Sequence, residues 1–577
     1  MARGEENSNS QEKSQGVTQD YAAHVESEDE QTRYAATWKP VSVRPLAIAI
    51  LAILQLVPFI VLEILLQKHK SAPFQFKTDD SSSYASWQYP AMAFFLVDGL
   101  LWEVVYARTC QLEPFYQLSR PEGARLESSL AMGYINTMTF LVPVKSAMAH
   151  HWTVFLASVV YFATFTLAPL LTRLAWTMVW PAYSRDTTVV VLMHESWCRV
   201  LEVLCLLSFV CGLGLAIIQR RRSGLLFEIS SIEDLTRLLC DSPQFLSMLK
   251  KIPSHADSGA LQEALQHCRF RLSYKQHRRL ELVASEDPNT ASIPRTIGIG
   301  NTSFDAHPFI LFPPVVWAVQ LMVSGVYLPI VLLATFPPDD FEPDILRPLF
   351  TALLLINTIS WSGIQSSLSA ILPFASLTAR RQSKEPRVRS HDSLKQIRQR
   401  YAPGSTLLQV TAGSSLCLMA LGGSLNLQLM MLLVNPLWDS TLAIVKKQGI
   451  YAPVPGCLRG PALLAQILSY IAPFISLAAF LNALLYRRVF APRRPNTLVS
   501  KMVYLCRGEH LLHDVRDSKA LGLATSEGCY SFGWFQDREG HWFVGVDRRI
   551  NVAKEYKKVG ETGPDVDVVQ GTYRQEI

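Results

Sequence analysis

LAIAILAILQLVPFIVLEILL (residues 46–66) is the stretch that decides the fold. Glu63 is the one charged residue among its 21. A helix of about 20 apolar residues crosses the roughly 30 Å hydrocarbon layer of a membrane with every backbone group hydrogen-bonded internally. The stretch therefore predicts a membrane-spanning helix.

Further stretches of similar length and apolarity follow along the chain. They cover residues 90–106, 152–171, 200–218, 315–336, 349–372, 408–434 and 463–485. With 577 residues, 49% of them hydrophobic and 18% charged, the composition is richer in apolar residues than that of a usual soluble enzyme. Mean hydropathy is only +0.17, because about eight spans account for less than a third of the chain. The sequence predicts a polytopic membrane protein with large parts outside the bilayer.

The second half of the chain repeats landmarks of the first half. Such recurrence at a nearly constant offset is the signature of an internal repeat. Pro40 and Pro45 recur as Pro308 and Pro313, Asp98 and Trp102 as Asn357 and Trp361, Phe115 and Leu118 as Phe374 and Leu377, Arg221 as Arg487, and Cys240 as Cys506. We therefore expect an all-α membrane protein with two four-helix repeats, each followed by a small α+β lobe.

The distribution of Lys and Arg predicts the orientation. Placing both termini in the cytoplasm puts 44 of the 54 basic residues on the cytoplasmic side, as the positive-inside rule requires. Four spans in each copy make the two copies parallel. The predicted parts are a disordered arm (1–37), the first four-span repeat (38–222), the first cytoplasmic lobe (223–306), the second repeat (307–488) and the second lobe (489–577). The sequence does not distinguish the plasma membrane from an endomembrane.

Each predicted lobe combines a helix with a strand of alternating apolar residues, which in the first lobe are Phe270, Leu272 and Tyr274. Ser230 and Glu233 form a capping-box pattern at the start of the first lobe helix. Alternating apolar residues at 530–534 and 542–546, with Gly540 between them, predict a β-hairpin in the second lobe. The first lobe has no glycine at the corresponding turn, so we expect its hairpin to be lost.

Asp98 is the sharpest candidate for a functional residue. It lies midway along the second span, one helical turn before Trp102, and Asn357 and Trp361 repeat this pair in the second copy. An ionisable side chain in hydrocarbon costs roughly 2.5 to 3.5 kcal/mol and therefore calls for a partner or a wet cavity. Two interpretations are open: a proton- or substrate-binding site of a carrier, or a structural hydrogen bond between helices.

Two other groups of residues are weaker candidates. Cys198 and Cys457 lie at the predicted outer face, and either a disulfide between them or two unrelated thiols fits the pattern. A basic loop contains Arg380, Arg381, Arg387 and Arg389 and either contacts anionic lipid headgroups or serves only as a topology determinant. Nucleic acid is a poor fit to this loop, because no aromatic residue is interleaved.

The sequence offers no enzyme motif. It contains no GxSxG, Walker A or GxGxxG pattern and no zinc-ligand spacing among its ten cysteines. We expect neither catalysis nor a bound cofactor or metal.

Three strings carry a family resemblance. Trp38-Lys39-Pro40, EPFYQLSRP (residues 113–121) and the Tyr-x-Phe-Gly-Trp string from Tyr530 resemble a family of fungal multi-spanning membrane proteins, catalogued only as a domain of unknown function and normally present in two copies. The resemblance implies a membrane protein from a filamentous fungus and transfers no catalytic residue. Fungal proteins of this kind sometimes lie beside secondary-metabolite genes, which implies an accessory role in such a pathway. The sequence favours a non-enzymatic scaffold or accessory protein, with a small-molecule or proton-coupled transporter as the alternative.

Overall fold

The structure is a computed structural model that describes about half of the chain. The described residues are 38–77, 81–134, 141–179, 188–229, 231–252, 258–275, 279–286, 497–521, 530–536 and 542–548, with the single positions Ser254, Ile356, Phe374, Leu377, Ile467, Ile471 and Pro495. They form a mostly helical structure with three small sheets.

Four helices in the described part are long and apolar enough to cross a membrane. They are Pro45–Ser71, Pro90–Leu118, Trp152–Thr172 and Glu195–Ile218. These four spans confirm the first four predicted from the sequence, and the second span is longer than predicted because it continues through the EPFYQL string. The four spans predicted beyond residue 307 lie outside the described residues, apart from single positions.

Two of the four spans are interrupted near a proline. The first span consists of α1 (Pro45–Leu54) and α2 (Leu56–Ser71), which meet at Gln55, three residues before Pro58. The third span contains α6 (Trp152–Tyr161), a π-helix (Phe162–Leu167) and α7 (Ala168–Ala175), with Pro169 just after the π-helix. Proline lacks the amide hydrogen and clashes with the carbonyl four residues earlier, so both interruptions lie where the prolines place them.

One end of the bundle carries a three-stranded antiparallel sheet, and we call this end the sheet side. Strand β4 (Thr188–Met193) lies between β1 (Phe74–Lys77), which follows the first span, and β3 (Trp176–Val179), which follows the third. The short helix α3 (Ser81–Gln88) leads into the second span, α4 (Pro90–Leu118). The sequence did not predict this sheet, although its central strand includes the β-branched run Val189–Val191.

The opposite end carries the elements predicted as the first lobe, and we call this end the lobe side. After the fourth span, α8 (Glu195–Ile218), the chain turns at Gly224, whose φ of +72° favours glycine. A Cβ at this position would lie 2.6 Å from Cβ of Ser119 at the end of the second span. Gly224 therefore allows the lobe to pack directly against the ends of the helices.

The first helix–hairpin unit comprises the elements between residues 232 and 286. These are α9 (Ile232–Asp241), α10 (Pro243–Lys250), α11 (Ser258–Leu265) and the strands β5 (Cys268–Lys275) and β6 (Arg279–Glu286). The predicted capping box exists one residue later than expected, between Ser231 and Asp234. The short strand β2 (Ala124–Arg125), which precedes α5 (Val142–Met148) in the chain, pairs with β5.

The prediction that the first hairpin is lost is wrong. Strands β5 and β6 pair over eight residues each, with Phe270, Leu272 and Tyr274 buried on one face. A glycine in the turn is one way to close a hairpin, but here the buried face and the pairing with β2 stabilise the strands independently of the turn sequence.

The second helix–hairpin unit comprises the elements between residues 498 and 548. These are α12 (Leu498–Leu505), α13 (Glu509–Leu521) and the strands β7 (Tyr530–Gln536) and β8 (Trp542–Arg548). The antiparallel pairing of β7 with β8 confirms the predicted second hairpin. Phe374 is buried against this unit, 6.0 Å from the ring of Tyr504 and 5.9 Å from that of Phe532.

The two helix–hairpin units pack against each other. Helix α9 contacts both α12 and α13, and α10 contacts α12. The amide of Val544 donates to the hydroxyl of Ser254 at 2.9 Å, and Arg507 donates to backbone carbonyls at the end of α10. One hydrophobic core runs from Trp102 in the second span through Phe115 into both units. The bundle and the units are therefore packed as one body.

Candidate functional site

Asp98 is buried inside the first four-helix bundle. Its side chain is 1% exposed, and its Oδ2 accepts a hydrogen bond of 2.6 Å from Nε2 of Gln55. Gln55 occupies the interruption between α1 and α2, where Pro58 breaks the first span. The proline thus places the amide at the depth of the carboxyl group.

Two glycines bring the helices close together around Asp98. A Cβ built on Gly99 would lie 2.8 Å from Cα of Phe165 in the π-helix. A Cβ built on Gly212 of α8 would lie 2.8 Å from Cβ of Ala52 and 3.1 Å from the indole of Trp102. Such distances are too short for any larger residue, so Asp98 lies in a tightly packed region where all four spans converge.

Several polar atoms in this region lack hydrogen-bond partners among the described residues. They are Oδ1 of Asp98, Oε1 of Gln55 and Nε1 of Trp102, all buried. A buried polar atom without a partner costs about 1–3 kcal/mol, so three such atoms in one place mark an unusual site. The predicted neighbours Asn357 and Trp361 lie outside the described residues.

A cluster of charged groups lies between the Asp98 region and the sheet side. Arg199 of α8 forms ion pairs with Glu63 of α2 and, at 2.6 Å, with Glu202 one turn further along α8. Glu202 is 3% exposed, and its Oε1 has no hydrogen-bond partner among the described residues. At the surface of this side, Lys70 pairs with Glu195 at 2.6 Å.

Cys198 is buried beside this cluster. Its thiol donates to the carbonyl of Ala175 at 3.4 Å. Cys457, its predicted partner, and the basic loop with Arg380, Arg381, Arg387 and Arg389 lie outside the described residues. The disulfide and the lipid-contacting loop stay predictions.

A second buried polar cluster lies at the lobe side, around Glu113. This carboxylate is 0% exposed and forms an ion pair with Arg221, which follows the fourth span. Thr153 at the start of the third span donates to Glu113 at 3.1 Å, and Gln117 donates at 2.6 Å. Arg221 also donates to Thr153 at 2.7 Å. The cluster thus connects the ends of the second, third and fourth spans.

Tyr116 and Lys39 extend the lobe-side cluster. The guanidinium of Arg221 lies 3.9 Å from the centre of the Tyr116 ring, and the Tyr116 hydroxyl donates to Gln219 at 2.8 Å. Lys39 donates to the backbone carbonyls of Gln219 and Arg221, where a cation stabilises the C-terminal end of α8. Burial, together with the positive charge of Arg221, lowers the pKa of Lys39 to about 8.

His151 borders the same cluster. Its Nδ1 is hydrogen-bonded to the hydroxyl of Tyr134, and its ring is 5% exposed. Burial lowers the pKa of His151 below its ordinary value, while the negative charge of Glu113 acts in the opposite direction. Burial also raises the pKa of Tyr134. Near neutral pH the pair is therefore uncharged.

Sequence reasoning missed the role of the lobe-side cluster, although it singled out EPFYQL as a motif. Three residues of this string, Glu113, Tyr116 and Gln117, take part in the cluster. A carboxylate one helical turn before a glutamine near a span end was the available signal, but its partner Arg221 is 108 positions away.

Most carboxylate oxygens of the described clusters accept from arginine, threonine or amide donors, whereas Oδ1 of Asp98 and Oε1 of Glu202 have no partner among the described residues. No group of three or more His, Cys, Asp and Glu side chains in the described residues is placed to hold a metal ion. What the arrangement offers chemically is three buried carboxyl groups, those of Glu202, Asp98 and Glu113, at different depths of one bundle.

A family model matches part of the chain. Residues 85–176 match a family described as protein of unknown function (DUF3433). The matched segment contains Asp98 and Trp102 as well as Glu113, Tyr116 and Thr153. The match confirms the coarse part of the resemblance, a domain of unknown function; the fungal origin and the two-copy arrangement stay predictions. Searches of curated proteins and of solved structures find no match.

Proposed function

We propose that this protein is a non-enzymatic membrane scaffold or accessory protein that holds a pair of helix–hairpin units against the membrane. The observation that carries the proposal is the single hydrophobic core that joins the bundle to both units, from Trp102 through Phe115 to Tyr504. A carrier needs parts that move relative to each other, whereas a continuous core favours one fixed body.

The buried polar clusters support a structural role. Glu113 has donors from three directions, and Asp98 bonds Gln55 in its own bundle. Polar side chains that bond between neighbouring membrane helices typically stabilise the bundle. The lobe-side cluster in particular fastens three span ends directly beneath the helix–hairpin units.

We further propose that the chain is a duplication, with two parallel four-helix repeats. Two offsets support this. Ser231 and Thr497, 266 residues apart, cap the corresponding helices α9 and α12, and each accepts a hydrogen bond from the amide three residues on. The hairpins share one pairing register at an offset of 262, since Phe270 pairs with Ala284 and Phe532 with Val546.

The packing of the units also supports the duplication. Exchanging α9 with α12 and α10 with α13 turns the contact α9–α13 into α12–α10, and both contacts are present. The contact between α9 and α12 is its own counterpart under the exchange. Such reciprocity is what a local twofold axis produces. Both termini would then lie on the lobe side, in the cytoplasm according to the charge distribution.

A substitution that changes Asp98 but not the fold tests the scaffold. Asp98→Asn keeps the shape of the side chain and the acceptor for Gln55. We expect a deletion strain that expresses this variant at wild-type abundance to have the metabolite profile and growth of the wild type. If the variant is as abundant as the wild type but reproduces the deletion profile, the scaffold proposal fails and the carrier is favoured.

The second candidate function is a small-molecule or proton-coupled carrier. It is favoured by the two interrupted spans, since the break at Gln55 and the π-helix at Phe162–Leu167 both contact the region of Asp98 and Gly99. Interrupted helices near the middle of the membrane form the substrate sites of many transporters, and π-helical turns are frequent at functional sites. Transport would require Asp98 to be essential.

A further inference from the structure

Three buried oxygen atoms without hydrogen-bond partners lie on the path from the sheet side to the middle of the bundle. They are Oε1 of Glu202, Oδ1 of Asp98 and Oε1 of Gln55, and none is accessible to solvent. Each belongs to a side chain whose other polar atom is bonded. All three atoms are therefore hydrogen-bond acceptors without a donor in bonding geometry.

Helix contacts place these residues along one line. In the antiparallel packing of the first span against α8, Glu63 contacts Arg199 and Ala52 approaches Gly212. Residue 55 then lies at the level of residue 208. The second span runs parallel to α8, and Trp102 also approaches Gly212, so Asp98 lies at this same level. Six residues of helix separate this level from Glu202, a rise of about 9 Å.

The balance of donors and acceptors is uneven. Trp102 Nε1 is the one buried donor without a well-formed hydrogen bond in the Asp98 region of the described structure; it acts on the Asp98 carboxyl and can satisfy one oxygen at most. At least two of the three oxygens would still lack a donor. A carboxyl group that takes up a proton changes one acceptor into a donor and so corrects the deficiency without any new side chain.

We propose that Asp98 and Gln55 form a proton-binding site within the membrane, in which Asp98 is a neutral carboxyl group. In this proposal Glu202 relays protons between Asp98 and the sheet side. Glu202 takes up a proton from the sheet-side surface. The proton then reaches Asp98 through water that enters transiently between the two carboxyl groups, because a rise of about 9 Å is too long for one direct transfer, and Glu202 returns to its ion pair with Arg199. No other bond forms or breaks. The proposal goes beyond the scaffold, because a scaffold needs no exchangeable proton.

The close packing favours a proton over a metal cation as the ligand. At Gly99 and Gly212 even one added carbon would lie 2.8 Å from a neighbouring atom. A sodium ion requires space for itself and several oxygen ligands, whereas a proton requires none. Sodium dependence of the site is therefore an outcome that contradicts the proposal.

The titratable and charged groups around Asp98 lie on few elements. On α8, Cys205 is within electrostatic range of both Asp98 and Glu202, and Arg199 lies beyond Glu202. Glu63 faces Arg199 from α2, and Glu103 and Tyr106 follow on the second span itself. Tyr161 of α6 stacks on Tyr106. Among the described side chains of α1 and the π-helix, none is titratable.

Infrared spectroscopy of the purified full-length protein tests the proposal. At pH 7 the wild type should show the carbonyl band of a protonated carboxyl group, and side-chain ¹³C labelling of aspartate, but not of glutamate, should shift it. Asp98→Asn should abolish this band, whereas the matched control Glu122→Gln, an exposed carboxylate, should retain it. The band should be the same in sodium and potassium buffers.

The outcomes separate the two parts of the proposal. Absence of an aspartate-dependent band in the labelled wild type overturns the site, and this result does not depend on whether Asp98→Asn folds. After transfer to D₂O, replacement of the proton should be slower in Glu202→Gln than in the wild type. Equal rates overturn the role of Glu202. If the purified wild type shows the aspartate band and the deletion strain that expresses Asp98→Asn behaves as the wild type, the results support both this site and the scaffold.

Discussion

Removing the cation of the lobe-side cluster should destabilise the protein strongly. In Arg221→Leu, the buried carboxylate of Glu113 keeps the donors Thr153 and Gln117 but loses its only opposite charge in the described structure. Leaving one partner of a buried ion pair uncompensated typically costs about 3–5 kcal/mol. At 1.4 kcal/mol per factor of ten, this lowers the ratio of folded to unfolded protein by roughly two to three and a half orders of magnitude.

A second substitution should recover most of this loss. Replacing both partners of a buried pair by apolar residues is often neutral or stabilising, so Glu113→Leu combined with Arg221→Leu should be far more stable than Arg221→Leu alone.

Unfolding in mixed micelles of increasing denaturing detergent, followed by tryptophan fluorescence, measures both effects. Arg220→Leu is the matched control, since Arg220 is the exposed neighbour of Arg221 and a surface substitution usually changes stability by within about 0.5 kcal/mol. Equal midpoints for Arg220→Leu and Arg221→Leu would refute the reasoning. So would a double variant that is less stable than Arg221→Leu.

Three further predictions concern packing and pH. Gly212→Ala places a Cβ 2.8 Å from Cβ of Ala52 and should lower the free energy of unfolding by about 1–3 kcal/mol. The control Gly214→Ala, whose nearest neighbouring atom lies at 3.5 Å, should leave it unchanged, and thermal unfolding compares the two variants. The pKa of Lys39 is lowered from its ordinary value of 10.5 to about 8, so between these pH values the unfolded chain binds more protons than the folded protein. The free energy of unfolding of the wild type, relative to that of Lys39→Met, should therefore rise between about pH 8 and 10.5, as a pH series of unfolding midpoints would measure. Phe374→Ala, which empties a buried site against the second unit, should cost about 3–5 kcal/mol and make its amides exchange faster with deuterium.

The sequence predicted elements whose signal is local. Runs of 17 to 21 mostly apolar residues identify the four described spans, and the alternation around Phe532 and Val544 identifies the second hairpin. The loss of the first hairpin was wrongly predicted because a missing turn glycine was weighed more heavily than the buried alternation of Phe270, Leu272 and Tyr274.

The candidate sites were less accessible to sequence reasoning. Asp98 could be found, because a carboxyl group in an apolar span is unusual by itself. Its partner Gln55 could not, since a lone glutamine before a proline in a span gives no indication of which helix it faces. The same holds for Glu113 and Arg221, whose pairing depends on the packing of the second span against the fourth.

The strand pairing on the two sides of the bundle has a consequence for biogenesis. β1 pairs with β4, and β2 pairs with β5, and in each case two membrane crossings lie between the partners. Two segments can pair only if the number of crossings between them is even. If one of the third and fourth spans failed to insert, β2 and β5 would end on opposite faces of the membrane, each with an unpaired edge. The small sheets therefore act as a check on insertion: they form only around a correctly threaded chain, and their unpaired strands would distinguish a misinserted one.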